Sequence, residues 1–190
     1  MDKLTPIKVL NKLTQRKLAI FSIQDFARIV NTSPKSAKAF LSRHTRSGNF
    51  ARIKQGLYIA TANEPAKFEI ANNLVRPSYI SFETALSYHK IIPETVYSIT
   101  SATTQRSQSF GIREQSYQFY RIKKTLYFGY TPIKLRGSVI LMATPEKALL
   151  DYVYLVSLKK KDTVERIDLK KVDTDKLGKF VGVMKRRLRK

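Results

Sequence analysis

The strongest constraint on the fold is a short break at residues 31–34, where one amphipathic helix ends and another begins. Apolar residues at helical spacing over residues 23–30 predict a helix that Ser22 caps. Ser33 and Pro34 then supply an N-cap and the proline favoured at the first helical position. Two helices separated by so few residues predict a helix-turn-helix.

The elements on either side of this pair extend the pattern. Helical spacing of leucine and isoleucine predicts a helix over residues 5–15, and the apolar run at residues 18–21 has the length of a strand. Beyond the second helix of the pair, strand-like segments at residues 50–53 and 57–60 are joined by a turn that contains Gly56, which predicts a hairpin. The order helix, strand, helix, helix, hairpin predicts a winged helix-turn-helix over the first sixty residues.

The charge of the chain is concentrated towards its two ends. The 190 residues include 36 Lys and Arg against 14 Asp and Glu, a formal net charge of +22. Residues 1–60 carry a net charge of +10 and residues 158–190 carry +8, whereas residues 61–157 carry only +4. So basic a chain repels itself unless a polyanion offsets the charge. We therefore expect nucleic acid, rather than a membrane surface, as the partner.

Ten residues of the two basic regions are predicted to contact duplex DNA. In the second helix of the pair, Ala37, Phe40 and Leu41 are expected to face inward, which leaves a basic face for the major groove. The candidates are Lys35, Ser36, Lys38, Ser42 and Arg43 on this helix, Arg52 and Lys54 on the hairpin, and Lys185, Arg186 and Arg187 in the last helix. The alternative is a structural or protein-interaction domain whose basic face is only solvated.

Several classes of protein are excluded by composition. The chain has no cysteine, which rules out disulfides, thiolate metal sites and thiol catalysis. No apolar run is long enough to span a bilayer, and the first six residues lack the apolar region of a signal peptide, so we expect a cytoplasmic protein. His44 and His89 have no spacing that suggests a shared metal, and there is no glycine-rich phosphate loop. We therefore expect no cofactor, no metal and no enzymatic activity.

The rest of the chain, residues 67–190, is predicted to be a second domain of mixed α/β structure with an antiparallel-rich sheet. The fold class predicted for the whole chain is therefore α+β, and residues 62–66 are the best candidate for the linker. Helices are predicted over residues 68–74, after Ser81, after Thr144 and near Asp173. The strand candidates are residues 79–80, 96–100, 109–113, 117–122, 126–130, 133–136 and 139–142.

Individual side chains of this second domain are assigned structural roles. Glu146 complements the dipole of the helix that it begins, and Asp151 lies four residues after Lys147, as in a surface ion pair. Ser81 is expected to cap a helix, and the basic run at residues 159–162 to be a solvated loop. The last helix is predicted to bury Leu177, Phe180, Val181, Met184 and Leu188.

Two regions of the second domain resemble the signatures of a known family. The first consists of PSYISFETALSY at residues 77–88, IPE at 92–94 and ITSAT at 99–103, and the second is ATPEKALLD at 143–151. In this order and at this separation they resemble the central and second signatures of the AbiEi antitoxin family. The resemblance covers about residues 1–157, including the N-terminal helices.

The resemblance implies a specific role. AbiEi proteins are antitoxins of type IV toxin–antitoxin systems associated with abortive phage infection. Their N-terminal winged helix represses their own promoter by binding inverted repeats, and their C-terminal domain counters a nucleotidyltransferase-like toxin without a stable complex. For this chain the resemblance implies an autorepressor and antitoxin, with two copies on the DNA.

Two other functions stay open from the sequence. In the first alternative, the basic regions bind structured RNA, the middle of the chain is a protein-docking module, and there is no antitoxin activity. The other alternative is a nucleic-acid-processing enzyme whose active residues lie far apart in the sequence.

Overall fold

The computed structural model describes residues 4–135, 137–164 and 166–188. It is a mixed α+β structure, as predicted, with 45% helix and 25% strand and an antiparallel-rich sheet. The chain divides into two compact units, the first ending at Ala66 and the second beginning at Lys67. Within the described ranges, no helix is both long and apolar enough to cross a membrane.

The first unit combines helices with a three-stranded antiparallel sheet. Side-chain caps begin its helices: Thr5 accepts from the Lys8 amide, Ser22 forms a capping box with Asp25, and Ser33 caps the next helix. The elements are α1 (Pro6–Gln15), β1 (Ile20–Ser22), α2 (Ile23–Val30), α3 (Pro34–Arg46), β2 (Phe50–Lys54) and β3 (Leu57–Ala60). In the sheet β3 lies between β1 and β2.

Aromatic rings hold α2, α3 and the sheet together. The ring centroid of Phe26 on α2 lies 5.5 Å from that of Phe40 on α3 and 6.2 Å from that of Phe50 on β2. Phe21 on β1 lies 6.0 Å from Phe50. All four side chains are buried, and each contributes about 1.5–3 kcal/mol relative to an exposed ring. The cluster therefore fixes α3 against the hairpin.

The turn between α2 and α3 is made possible by one residue in the left-handed region. Asn31 has φ 55° and ψ 60°, a conformation that asparagine tolerates better than most residues. The amide of Thr32 then donates to the Ala27 carbonyl at 2.9 Å, which closes the end of α2. The chain reverses within three residues, and Ser33 caps α3 immediately.

The described residues of the second unit form a six-stranded mixed sheet with helices. Its elements are α4 (Lys67–Leu74), β4 (Ser78–Ile80), α5 (Phe82–Tyr88), β5 (Ser98–Thr103), β6 (Gln108–Ile112), β7 (Gln115–Arg121), β8 (Tyr130–Leu135), β9 (Ser138–Ala143), α6 (Pro145–Ser157) and α7 (Thr174–Leu188). The strand order is β6-β7-β5-β4-β9-β8. The β5–β7 and β4–β9 pairs are parallel and the other three are antiparallel. The short strand β4 therefore lies at the centre of the sheet.

Two predicted features of the sheet region are wrong. Residues 126–130 do not form a strand: Leu126 ends a 3-10 helix that begins at Lys124, and β8 begins only at Tyr130. The apolar run had suggested a strand, but Leu126 fills the core from a tight turn.

Ser81 stands at the N-cap of α5, yet its hydroxyl donates to Asp151 Oδ2 at 2.8 Å instead of capping the helix. The predicted strand at 133–136 falls on β8, and Arg136 lies outside the described residues.

The basic run at residues 159–162 is only partly solvated, which corrects the prediction. Lys161 Nζ lies 2.5 and 2.7 Å from the two carboxylate oxygens of Glu83, and 4.3 Å from the ring centroid of Tyr120. Its side chain is 8% exposed. The loop is therefore fixed to α5 and β7 by one lysine, while Lys159 and Lys160 are exposed.

The last helix, α7, is held by mixed polar and aromatic contacts. Its five predicted core residues are all partly buried and none is fully buried, so the predicted inward face is correct and its depth of burial is not. Instead Glu146 of α6 accepts hydrogen bonds from the Asp173 amide at 3.3 Å and from Lys176 Nζ at 2.8 Å. The Phe180 ring stands edge-on to Phe128 at 5.4 Å. A charged anchor at its start and an aromatic contact at its middle thus position the helix.

Candidate nucleic-acid interface

The predicted DNA contacts on helix α3 lie on the exposed side of the helix, and its core residues lie on the other side. Ala37, Phe40 and Leu41 are buried, as predicted. All five candidates on this helix are exposed: Lys35, Ser36, Lys38, Ser42 and Arg43. Thirteen residues give a helix about 20 Å long, and an α-helix of about 10–12 Å diameter fits a major groove about 12 Å wide. The structure thus brings these five residues together on one element.

Ser36 differs from the other four because its hydroxyl takes part in the cap of α3. Ser33 Oγ accepts from the Ser36 amide at 3.1 Å and donates to Ser36 Oγ at 2.9 Å. A hydroxyl that accepts one hydrogen bond still has its own proton to donate. Ser36 therefore stabilises the start of the helix and presents a donor to an acceptor outside it.

The acid content around α3 is very low. Between residues 4 and 60, Asp25 is the only acidic residue. Its carboxylate caps α2, accepting from the amide and hydroxyl of Ser22 at 3.0 and 2.7 Å, and lies 3.9 Å from the Arg28 guanidinium. Because Lys and Arg far outnumber this one carboxylate, the net charge around the exposed cations of α3 is positive.

The hairpin presents its two candidates on one side. Arg52 and Lys54 are exposed and flank the buried Ile53. A bulge between Arg52 and Lys54 increases the local twist of β2, and Gly56 takes φ +76° in the turn. The hairpin therefore ends in a tight, basic tip.

The histidine of α3 has a structural explanation. The ring of His44 lies against Phe40, with 4.3 Å between the centroids, and its Nδ1 is 3.5 Å from Ser47 Oγ. Across the described residues, no group of three or more His, Asp and Glu side chains is arranged to hold a metal ion. His44 thus belongs to the packing of the helix C-terminus.

The remaining candidates lie in the second unit, at the end of α7. Lys185, Arg186 and Arg187 are exposed. The Arg187 guanidinium donates to the Thr125 carbonyl at 2.8 Å and stacks 5.0 Å from the Phe128 ring centroid, whereas Lys185 and Arg186 extend the basic surface. Arg189 and Lys190, the last residues of the predicted basic cluster, lie outside the described residues.

Sequence reasoning missed two cations beside this cluster. Lys123 and Lys124 are exposed and precede Thr125, the residue to which Arg187 is bonded. A signal was present in the sequence, because no acidic residue occurs between Glu114 and Glu146. The basic surface of the second unit is therefore built from two segments of chain.

A buried polar cluster joins the two signature-like regions of the second unit. Asp151 Oδ2 accepts hydrogen bonds from Tyr79 and Ser81, each at 2.8 Å, and Oδ1 pairs with Lys147 Nζ. All four residues are buried, so the prediction of a surface pair between Lys147 and Asp151 is wrong. The pair is buried because this side of α6 faces β4 and its tyrosine.

Burial is the largest influence on the pKa values of the groups in this cluster. Burial raises the pKa of Asp151 despite the opposing effects of Lys147, Tyr79 and Ser81. Burial also lowers the pKa of Lys147, against the attraction of Asp151. The pKa of Tyr79 is raised first by burial and then by the carboxylate of Asp151. The cluster is thus a strongly coupled set that fixes the packing of α6 on β4.

Comparison with models of known protein families finds no match for this chain, and comparison with curated protein sequences finds none either.

Proposed function

We propose that the first unit is a winged helix that binds duplex DNA, with α3 in the major groove. The exposed face of α3 carries the proposal, because Lys35, Lys38 and Arg43 lie opposite the buried Ala37 and Leu41. Cations at this position contact phosphates and base edges in known helix-turn-helix proteins. The hairpin tip with Arg52 and Lys54 supplies further backbone contacts.

We propose further that the chain is an autorepressor and antitoxin of the AbiEi type. Its support is the resemblance of residues 77–88 and 143–151 to the family signatures, together with the bonds that Asp151 makes between these regions. In this role the first unit binds inverted repeats in its own promoter. The second unit counters a nucleotidyltransferase-like toxin without a stable complex, and the chain itself catalyses no reaction in the cytoplasm.

A retardation assay tests the DNA-binding proposal directly. We expect the chain to bind duplex DNA from upstream of its own gene more tightly than a scrambled duplex at physiological salt. Equal affinity for the two would overturn the proposal. Tighter binding to structured RNA in a competition titration would support the RNA-binding alternative instead.

A variant of α3 tests which residues make the contacts. The K35A/K38A/R43A variant is expected to bind weakly, with a salt slope lower by about 0.9 for each lost phosphate contact. The K12A/K134A/K160A variant is the matched control, since it removes three exposed lysines elsewhere. Equal losses in both variants would mean that only total charge matters, and would contradict a role for α3.

Antitoxin activity needs a separate test. Coexpression of the chain with the product of a neighbouring nucleotidyltransferase-like gene is expected to restore growth that the product alone arrests. The K35A/K38A/R43A variant is expected to keep this protection, because protection is assigned to the second unit. Growth arrest that persists with the wild-type chain would refute the antitoxin role and leave DNA binding untouched.

A further inference from the structure

The outward side of α3 is not uniformly basic. In an α-helix each residue is rotated by about 100° from the one before it, so the direction opposite the buried Ala37, Phe40 and Leu41 follows from the sequence positions. Four exposed residues lie within about 35° of that outward direction. In chain order they are Lys35, Ala39, Ser42 and Arg46. Two small side chains therefore occupy the middle of the outward line, between two long cations.

Lys38 and Arg43 flank this line on its two sides. Each lies about 70° from the outward direction, and both are exposed. A helix in a major groove has one strand of the duplex on either side, and the phosphates form both walls of the groove. Cations at the two flanks are therefore placed to contact opposite strands, whereas the middle of the line faces the base edges.

The curvature of the duplex limits which residues reach the bases. Because the helix is straight and the groove winds around the DNA axis, the two stay close for only a few residues. Lys35 and Arg46 are about 16 Å apart along the helix axis, so both diverge from the groove floor towards the phosphates. Ala39 and Ser42 lie between them, where a short side chain lets the helix backbone approach the base edges.

We propose that Ala39 and Ser42 determine the DNA sequence preference of the chain. The methyl group of Ala39 contacts the 5-methyl group of a thymine, and the Ser42 hydroxyl hydrogen-bonds to the edge of a nearby base. The surrounding cations supply affinity that depends little on sequence. This assignment rests on the proposed DNA binding by the first unit and names the side chains that read the sequence.

Enrichment of duplexes from a random library by the full chain tests Ser42. S42A is expected to lose, by about fivefold or more, a preference for one base pair that the wild-type chain shows. S157A removes an exposed hydroxyl from α6 and is expected to enrich the wild-type sequence. K38A and R43A are each expected to enrich the wild-type sequence with a salt slope lower by about 0.9. An unchanged sequence preference in S42A would overturn the role of Ser42.

Exchange of thymine for uracil in the enriched duplex tests Ala39, because uracil lacks only the 5-methyl group. At one thymine the exchange is expected to weaken wild-type binding about fourfold, the effect of one buried methylene group, and A39G binding not at all. The two duplexes are compared within each variant, so any loss of helix stability in A39G cancels. A62G, which alters an exposed alanine outside α3, is expected to retain the fourfold effect.

The outcomes of these measurements separate this assignment from the proposed function. If no thymine exchange weakens wild-type binding more than A39G binding, the role of Ala39 is wrong, while sequence-specific DNA binding stands. If the wild-type chain enriches no sequence from the library, sequence-specific DNA binding is refuted, and the roles of Ala39 and Ser42 with it.

Discussion

Asp151 accepts hydrogen bonds from Tyr79 and Ser81, which lie 72 and 70 residues away in the sequence, and pairs with Lys147 on its own helix. Replacing it by Asn removes the counter-charge of an ammonium that is 1% exposed. Breaking a buried ion pair in this way costs about 3–5 kcal/mol. We therefore expect D151N to lower the free energy of unfolding by that amount in urea denaturation.

The K147M variant is the matched comparison. It leaves a carboxyl group with two hydroxyl donors and a pKa that burial has raised, so the group takes up a proton in the folded state. A smaller loss of stability than in D151N is expected. Because the folded pKa then exceeds the unfolded one, the stability of K147M should rise as pH falls through the folded pKa towards the unfolded one. Equal losses in the two variants, or a stability that falls over this range, would contradict this account.

At the residue scale, the sequence predicts the positions of the exposed cations well and those of the buried ones poorly. Lys35 and Lys38 follow from helical spacing alone, because Ala37 and Leu41 mark the inward face. Lys147 and Asp151 have the same spacing as a surface pair. Their burial depends on Tyr79 and Ser81, which the fold brings from a distant strand and which no local pattern reveals.

The turn between α2 and α3 depends on one backbone conformation. Asn31 has φ 55°, where an alanine is strained by about 1–2 kcal/mol and a glycine is not. N31A is expected to lower the melting temperature, and N31G to leave it nearly unchanged. The two variants remove the same side-chain amide, so an equal effect of both would show that the side chain matters and the conformation does not.

The docking of α7 should depend on pH through Glu146. Burial alone would raise the pKa of Glu146, but hydrogen bonds led by that from Lys176 outweigh it and lower the pKa below its usual 4.5. A carboxylate with a depressed folded pKa stabilises the docked helix above the unfolded pKa, and this stability is lost as pH falls through the folded pKa. The protection factors of α7 amides, which compare each exchange rate with that of an unfolded chain at the same pH, should therefore be high at pH 7 and fall below pH 4.5.

The variant E146Q isolates this contact at neutral pH. It is expected to accelerate amide exchange within α7 and to leave exchange in β4 unchanged. E94Q, which alters an exposed carboxylate, serves as the control. Unchanged protection of α7 in E146Q would assign its docking to the ring contact between Phe128 and Phe180.

The sequence predicts best those helices whose first residues are a capping side chain or a proline. Ser33 and Pro34 place the start of α3 correctly, and Pro145 does so for α6. The strand predicted at residues 126–130 is wrong because a short apolar run has no period that separates a strand from a buried turn. The apolar face predicted for α7 is only partly buried, because the helix is also attached through Glu146, which lies in another helix.

At the scale of the whole molecule, the C-terminal basic cluster can be tested for DNA contact separately from α3. If the end of α7 contacts the same duplex as α3, K185A/R186A should lower the salt slope of binding by about 0.9 per lost phosphate contact. Arg187 is retained because it holds Thr125 and Phe128. We expect the preference for the upstream DNA over a scrambled duplex to persist in this variant. An unchanged slope would remove the C-terminal cluster from the DNA interface.

The central position of β4 in its sheet has a consequence for synthesis on the ribosome. Its neighbour β9, and Asp151 beyond it, are translated long after the first unit ends at Ala66. At about 5–20 residues per second, that interval lasts about 4 to 17 s. All core residues of the first unit have been translated by the start of this interval, whereas the second unit cannot complete its sheet until the interval ends. On the proposed function, each newly made chain can therefore bind DNA before its other half has folded, and repression begins earlier than protection.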